Sequence, residues 1–307
     1  MRAMPILLAA LFLGAASASP AQELVDLTGE FSDVQRANAD RTAELQAAAI
    51  REHFRARIPG FYDLSRFGED ASRYEAVLSK NIADFPDVRA QTLAAAARFR
   101  AMFPKAVNDF EKSFGPLPYN RPVYLLVSLG EFDGGMRTLP QGEFLLFGAD
   151  MIAKYHGNHD LAPFFHHELF HVYHAGKFQR CDELWCSLWS EGLATHVAAT
   201  LNPGSTDAEL LLTIPEPIRP EIEKDRKPAV CAVRARLDST RSEDMRALFS
   251  FERLGASIPP RAGYLIGQWV AQDVGRTRSL EELATMGGEK LRSEIAASLD
   301  RMADCSA

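Results

Sequence analysis

Residues 164 to 174, FFHHELFHVYH, hold four of the eight histidines in the chain. Within them, His167 and His171 lie four positions apart, and Glu168 directly follows the first. On an α-helix this spacing places both imidazoles on one face, one turn apart, within reach of a single metal ion. Glu168 lies about 100° around the helix from His167, so its carboxylate faces a water on that ion rather than the ion itself. The pattern predicts two metal ligands and a general base.

The other two histidines of this stretch do not complete such a site. His174 would lie about 10.5 Å along the helix axis from His167, whereas a zinc–nitrogen bond measures roughly 2 Å. His166 points to a different face of the helix. A catalytic zinc ion takes three protein ligands and keeps a fourth position open. The third ligand must therefore come from another element.

A second helical segment, LWSEGLATHVA, provides that ligand. Glu191 lies twenty residues beyond His171, on a helix that can pack antiparallel to the first, and two histidines with one glutamate form a catalytic zinc set. His196 would lie about 140° off the face of Glu191, so we do not expect it to point at the same ion. The apolar residues of this segment are interpreted as its packing face: Trp185, Leu188, Trp189 and Leu193.

The pair of motifs, HELFH followed by WSEGLA, resembles the gluzincin metallopeptidases, the clan of thermolysin-like and aminopeptidase N-type enzymes. Within that clan it is similar to a group of little-characterised bacterial zinc-dependent proteases. The resemblance covers residues 160 to 200, with looser similarity on either side. It implies Zn²⁺ on His167, His171 and Glu191, with Glu168 as the general base. It also implies a zincin-like fold.

The resemblance also implies roles for two stretches outside the motifs. In gluzincins the strand before the zinc helix is an edge that pairs with extended substrate. Residues 142 to 149 occupy that place here, which implies substrate binding along Phe144, Leu145 and Leu146, while an ordinary buried strand remains the alternative.

The segment RAGYLIGQWVAQ resembles the downstream gluzincin helix that carries a tyrosine near the metal. Tyr264 would then donate its hydroxyl to an oxyanion, and Arg261 would bind a substrate carboxylate. A packed tyrosine and a solvated arginine are the alternatives. The chain departs from its relatives in two ways: it lacks the asparagine-rich pattern of thermolysin-like enzymes before His167, and it has no GAMEN-like exopeptidase motif. The substrate specificity of those enzymes therefore does not carry over.

The N-terminus, residues 1 to 21, has the pattern of a signal peptide. Arg2 precedes a short apolar stretch, and small residues then suit cleavage near Ala18 or Ala21. A membrane anchor is the alternative, but the apolar run is short for a bilayer and no later segment reaches transmembrane length. We therefore expect a soluble protein that is periplasmic or secreted.

Export allows the four cysteines to form disulfides. Three pairings of Cys181, Cys186, Cys231 and Cys305 are open, and the sequence does not choose between them or exclude four free thiols. The spacing of the cysteines is unlike that of a zinc finger, so we reject a structural zinc site built from them.

The remaining pattern predicts an α+β fold, predominantly helical, with a small sheet before the HExxH helix. Residues 22–115 are predicted to form an N-terminal helical region, with a long helix starting after Pro86. Residues 116–307 are predicted to form the zincin-like metallopeptidase region. We expect the two regions to form one unit. Strands are predicted at 121–129 and 142–150, with a turn at Gly134-Gly135 between them. Later helices are predicted, after the HExxH and WSEGLA helices, near 216–226, 229–238, 243–252, 259–275, 279–286 and 288–303.

Composition limits the partners of the protein. The net charge is −7 and the pI about 5.7, with no basic run, so the sequence does not indicate a nucleic-acid or anionic membrane surface. We therefore predict an exported zinc metallopeptidase acting on peptide or protein substrates. Two alternatives stay open, namely a zinc hydrolase of non-protein or cell-wall amides and a non-catalytic zinc-binding protein. The oligomeric state is not predicted.

Overall fold

The computed structural model of the protein describes residues 22–305, so the predicted signal peptide and its cleavage near Ala18 or Ala21 lie outside the described residues. Within this range most residues are helical, and one small sheet has both parallel and antiparallel strands. The α+β, predominantly helical class predicted from the sequence is confirmed.

The N-terminal region contains a strand as well as helices. Its elements are β1 (Leu24–Asp26), α1 (Thr28–Ala37), α2 (Ala43–Phe54), a 3-10 segment (Leu64–Asp70) and α3 (Ala71–Phe114). β1 pairs in parallel with a strand that follows α3, with Leu24 opposite Val123. The N-terminal region therefore supplies an edge strand to the sheet.

The longest element, α3, has 44 residues and begins earlier than predicted. Pro86 was expected to mark its start, but both Pro86 and Pro104 lie inside the helix. An internal proline costs a helix about 3 kcal/mol. Buried side chains along the whole length of α3 offset that cost, because packing rather than local propensity supplies most helix stability.

α3 contributes to two hydrophobic clusters. The first cluster contains Tyr74, Leu78, Ile82 and Phe85 of α3 and lies against α1, α2 and one side of the sheet. The second, larger cluster contains Phe99, Phe103, Phe110 and Phe114 of α3 and extends through the C-terminal helices. The boundary predicted at residue 115 thus does not separate two cores.

The sheet has the strand order β1-β2-β4-β3, where β2 is Val123–Leu126, β3 is Gly134–Leu139 and β4 is Gly142–Gly148. β4 is parallel to β2 and antiparallel to β3, and residues 140–141 form the tight turn between β3 and β4. The predicted turn at Gly134-Gly135 is wrong, since both glycines begin β3. Glycine is required at position 134 because the ring of Phe164 lies close to the backbone. A Cβ on Gly134 would lie 2.7 Å from that ring.

The C-terminal half is helical. Its helices are α4 (Ala149–His156), α5 (Ala162–Ala175), α6 (Leu184–Leu201), α7 (Ile218–Lys224), α8 (Arg226–Arg234), α9 (Ser242–Phe249), α10 (Ala262–Val274), α11 (Leu280–Ala284) and α12 (Gly288–Met302). All but α4 were predicted to within a few residues. α11 begins with a capping box, in which Ser279 and Glu282 each accept a hydrogen bond from the other's backbone N–H.

Two disulfides close the C-terminal half, joining Cys181 to Cys186 and Cys231 to Cys305. The first bridges the start of α6 to the segment that follows α5, and the second ties α8 to the end of the described chain. Paired cysteines fit an oxidising compartment. None of the helices between residues 22 and 305 combines the length and apolar character needed to cross a bilayer.

Candidate metal centre

The HExxH segment lies on α5, and local signals explain where this helix begins and ends. The Asp160 carboxylate accepts a hydrogen bond from the backbone N–H of Ala162 at 2.8 Å, and Pro163 follows in the first turn. Gly176 forms the C-cap. The side of α5 opposite the motif is buried, with Phe165 packed at 4.8 Å from the ring of Phe99 on α3.

Glu191 lies near the middle of α6, which packs against both α5 and α10. The predicted packing face of α6 is confirmed, since Leu188, Trp189 and Leu193 are fully buried. The contact with α10 is a backbone contact: a Cβ on Gly267 would lie 2.8 Å from Cα of Gly192. This close approach fixes the position of Gly192, the residue that follows Glu191 on α6.

His167, His171 and Glu191 converge. The Nε2 atoms of the two histidines are 3.0 Å apart, and Oε2 of Glu191 lies 3.4 Å from Nε2 of His167 and 3.2 Å from Nε2 of His171. Ligands bound tetrahedrally at roughly 2.0–2.1 Å are separated by roughly 3.3 Å from one another. The three donor atoms therefore have both the chemistry and the spacing of a zinc ligand set, and they form a group able to hold a metal ion.

The charges of these groups are coupled. Burial would raise the pKa of Glu191, but the neighbouring His171 and His167 outweigh it and hold that pKa well below its usual range. Burial would lower the pKa of His171, and the Glu191 carboxylate reverses that effect and raises it. Glu191 is consequently ionised at neutral pH, as a metal-ligating carboxylate must be.

Glu168 lies on the wall of the same cavity but outside the donor group. This cavity has a volume of about 570 Å³ and is lined by His167, Glu168, His171 and Glu191. Burial raises the pKa of Glu168, and the nearby Asp133 and Glu191 carboxylates add to this effect against the opposing histidines. A carboxylate with a raised pKa is suited to accept and release a proton near neutral pH.

Tyr264 and Arg261 also line this cavity. The ring of Tyr264 lies 6.2 Å from the ring of His167, and burial raises the pKa of its hydroxyl, which stays protonated. The guanidinium of Arg261 stacks over Tyr264 at 4.4 Å, and its buried Nε atom has no hydrogen-bond partner in the part of the chain that the structure describes. Both residues thus lie at the predicted site, while their roles in catalysis and binding stay predictions.

The remaining histidines of the two helices lie outside the donor group, as predicted. His166 is buried, with Nε2 3.1 Å from the carbonyl oxygen of Ala106 and Nδ1 bonded to Asn202. His174 is stacked between Phe170 and Phe178. His196 is also outside the group.

The predicted substrate strand is not an edge strand. β4, which carries Phe144, Leu145 and Leu146, is paired with β2 on one side and β3 on the other. Its main-chain groups are therefore already hydrogen-bonded within the sheet. Leu145 and Leu146 are fully buried, and none of the three residues lines the cavity. The prediction was wrong because Gly134-Gly135 was interpreted as a turn. These two glycines begin β3, which pairs with β4 on the side that was expected to be free.

The sheet edge next to the donor group belongs to β3. The backbone N–H of Gly148 donates to the carbonyl of Asp133, so Asp133 and the alternate residues after it face β4. Gly134 and Met136 therefore direct their main-chain groups outward, and both residues line the cavity. A Cβ on Gly135 would lie 3.5 Å from Oε2 of Glu168, so this edge is adjacent to the Glu168 carboxylate.

Sequence reasoning missed the residues of β3 that face the site, including Arg137. The signal was present in Gly134-Gly135, because glycines within a strand mark close backbone approach.

Comparison with protein families, curated proteins and solved structures found no match to this chain. The chemistry of the site is therefore inferred from its geometry and from the motifs that form it.

Proposed function

We propose that this protein is an exported zinc-dependent metallopeptidase of the gluzincin type, with a zincin-like arrangement of sheet edge and helices. The observation that carries the proposal is the convergence of His167, His171 and Glu191 at 3.0–3.4 Å, with Glu168 on the same cavity wall. The two disulfides support an oxidising compartment, in the periplasm or outside the cell.

His167, His171 and Glu191 would hold the zinc ion. When bound there, zinc supplies Lewis-acid chemistry, because it lowers the pKa of a water toward roughly 7 and polarises a carbonyl oxygen. Glu168 accepts the proton of the attacking water and then passes it to the leaving amine. Tyr264, protonated and next to His167, donates its hydroxyl to the oxyanion that develops on the substrate.

Substrate binding is assigned to β3 rather than to β4. An extended peptide can add to the exposed edge of a sheet through main-chain hydrogen bonds. The outward groups of Gly134 and Met136 face the cavity beside Glu168, so a peptide paired with them passes the general base. Gly135 leaves room for the Arg137 guanidinium beside this edge, since a Cβ on Gly135 would lie 2.7 Å from Nη1 of Arg137.

The test combines zinc stoichiometry with cleavage of a mixed peptide library, with and without a chelator. We expect one zinc ion per chain and chelator-sensitive cleavage. Glu168→Gln should keep the zinc and lose about 10²–10⁴-fold in kcat/KM, since general-base catalysis contributes about that factor. His171→Ala should lose both zinc and activity.

Three results would contradict the proposal in different ways. Full hydrolytic activity in Glu168→Gln would exclude the assigned base. Chelator-sensitive hydrolysis of cell-wall or small amides without any peptide cleavage would indicate an amidase. Stoichiometric zinc with no hydrolysis of either substrate class would indicate a zinc-binding protein.

A further inference from the structure

Arg137 covers the β3 edge that the proposed function assigns to substrate. Its Nη1 donates to the carbonyl oxygen of Met136 at 2.8 Å, and its Nη2 lies 3.4 Å from the carbonyl oxygen of Gly134. These two carbonyls are the ones that point away from β4. The guanidinium is held in place over the ring of Phe132, 4.2 Å from its centroid.

The Arg137 guanidinium occupies the place that the main chain of a peptide paired with β3 would take. A strand added to β3 would direct its own N–H groups to the carbonyls of Gly134 and Met136, as the antiparallel or parallel ladder requires. Both carbonyls are already occupied by Arg137. The guanidinium must therefore give up these two acceptors when a peptide pairs with the strand.

Arg137 has no carboxylate partner among the acidic side chains that act on it. The guanidinium forms no ion pair with Glu131, Asp133 or Glu168 and donates to main-chain carbonyls instead. The nearby Glu131 is paired with Arg66, and Asp133 with His156. A half-buried cation stripped of its acceptors is costly, and a bidentate carboxylate is the partner that best matches a guanidinium.

Glu168 is the other carboxylate close to Arg137, and the proposed reaction requires it elsewhere. Burial lowers the pKa of Arg137, and the negative charge of Glu168 opposes that effect. As the general base of the proposed reaction, however, Glu168 must face the attacking water rather than the guanidinium. The displaced guanidinium therefore needs an acceptor from outside the chain.

We propose that Arg137 is a specificity-determining residue that selects peptides carrying a carboxylate, from an acidic side chain or from the C-terminus, beside the segment paired with β3. The substrate main chain takes the two β3 carbonyls, and the substrate carboxylate takes the guanidinium. Neutral peptides pair with the same edge but leave Arg137 without an acceptor. The inference rests on the proposed peptidase function.

The test uses neutral peptides in which one glutamate is moved along the sequence, each paired with a twin carrying glutamine at that position. A second series compares free and amidated C-termini. In the wild-type protein, kcat/KM should favour the charged twin by about tenfold at one position, the size expected for one charge-assisted interaction. Arg137→Gln should bring this ratio close to one, and Arg137→Lys should give an intermediate ratio.

Arg121→Gln is the matched control. Arg121 also stacks over a phenylalanine, Phe144, and also donates to a hairpin carbonyl, that of Gln141, but it lies outside the cavity. Its substitution should leave the charge ratio unchanged.

Binding measurements separate a failure of this inference from a failure of the proposed function. Equilibrium binding of the same peptide pairs to zinc-loaded Glu168→Gln protein, with and without Arg137→Gln, reports charge selection without cleavage. Absence of peptide cleavage by the wild type with a retained binding ratio overturns the peptidase proposal alone. Equal binding of both twins overturns the role of Arg137, as does an equal loss of kcat/KM on both twins in Arg137→Gln.

Discussion

Gly192 on α6 and Gly267 on α10 are in direct backbone contact. A Cβ on Gly267 would lie 2.5 Å from the carbonyl oxygen of Leu188 and 2.8 Å from Cα of Gly192, closer than real Cβ contacts allow. Gly192 directly follows Glu191 of the donor group, and Gly267 lies three residues after Tyr264 on its helix. The distance between these two helices thus sets where Glu191 and Tyr264 sit relative to each other.

Gly192→Ala is expected to destabilise the fold although alanine favours helices. The added methyl group meets the backbone of α10, and overpacking of this kind costs about 1–3 kcal/mol, more than the roughly 1 kcal/mol gained in helix propensity. Denaturant unfolding measures the difference. Gly176→Ala, which adds a methyl group to open space at the end of α5, should change the unfolding free energy by less than about 0.5 kcal/mol. Equal effects of the two substitutions would contradict the tight crossing.

Tyr264→Phe is expected to lower kcat by about 10²–10³-fold, which is the usual effect of removing one donor to an oxyanion. Zinc content should stay unchanged, because Tyr264 is not one of the three donors. Steady-state kinetics together with metal analysis test both statements. A variant with unchanged kcat would restrict Tyr264 to packing against Phe249 and Arg261.

Zinc is expected to stabilise the folded chain, since an ion that binds only the native state raises its unfolding free energy. At a free zinc concentration 100 times the dissociation constant the gain is about 2.7 kcal/mol. Thermal unfolding with and without zinc should show this shift in the wild type and a much smaller one in Glu191→Gln. Glu209→Gln replaces another carboxylate of the cavity wall, outside the donor group, and should keep the full shift. A full shift in Glu191→Gln would remove Glu191 from the ligand set.

His174 should make the protein sensitive to acid. Burial between Phe170 and Phe178 lowers the pKa of His174 to about 3, compared with 6.5 for an exposed histidine. Between these pH values the unfolded chain holds a proton on His174 that the folded chain lacks. The free energy of unfolding therefore falls as the pH decreases below about 6.5, by up to about 1.4 kcal/mol per pH unit.

His174→Phe should reduce that slope. The Nε2 atom of His174 has no hydrogen-bond partner among the described residues, so a phenyl ring loses no such bond there. Unfolding curves of the wild type and the variant at several pH values between 4 and 7 give the comparison. Parallel curves would show that His174 does not titrate on unfolding.

The donor group was predictable from the sequence because each part of it is local. His167, Glu168 and His171 fall within one helical turn, and the position of Glu191 depends only on a second helix that packs against the first. The signals that end α5 are also local, because Asp160 lies at its start and Gly176 at its end.

The strand at the sheet edge beside the cavity was not predictable for the opposite reason. Which strand lies at the edge depends on pairing between β3 and β4, and the sequence Gly134-Gly135 is more typical of a turn than of a strand. The contact of Arg137 with its own strand follows only once the register is known. The predicted start of α3 was wrong because a proline usually interrupts a helix. In α3 the burial of side chains on both sides of Pro86 keeps the helix continuous.

Helix α3 connects the two hydrophobic clusters, because it contributes buried side chains to both. Its N-terminal half belongs to the first cluster, and its C-terminal half holds α5 through Phe99 and Phe103, which contact Phe165. Helix formation propagates along the chain, so releasing one half weakens the other. We therefore expect loosening of the N-terminal helices to lower the population of chains in which His167, His171 and Glu191 converge, although those helices contribute no donor atom to the group.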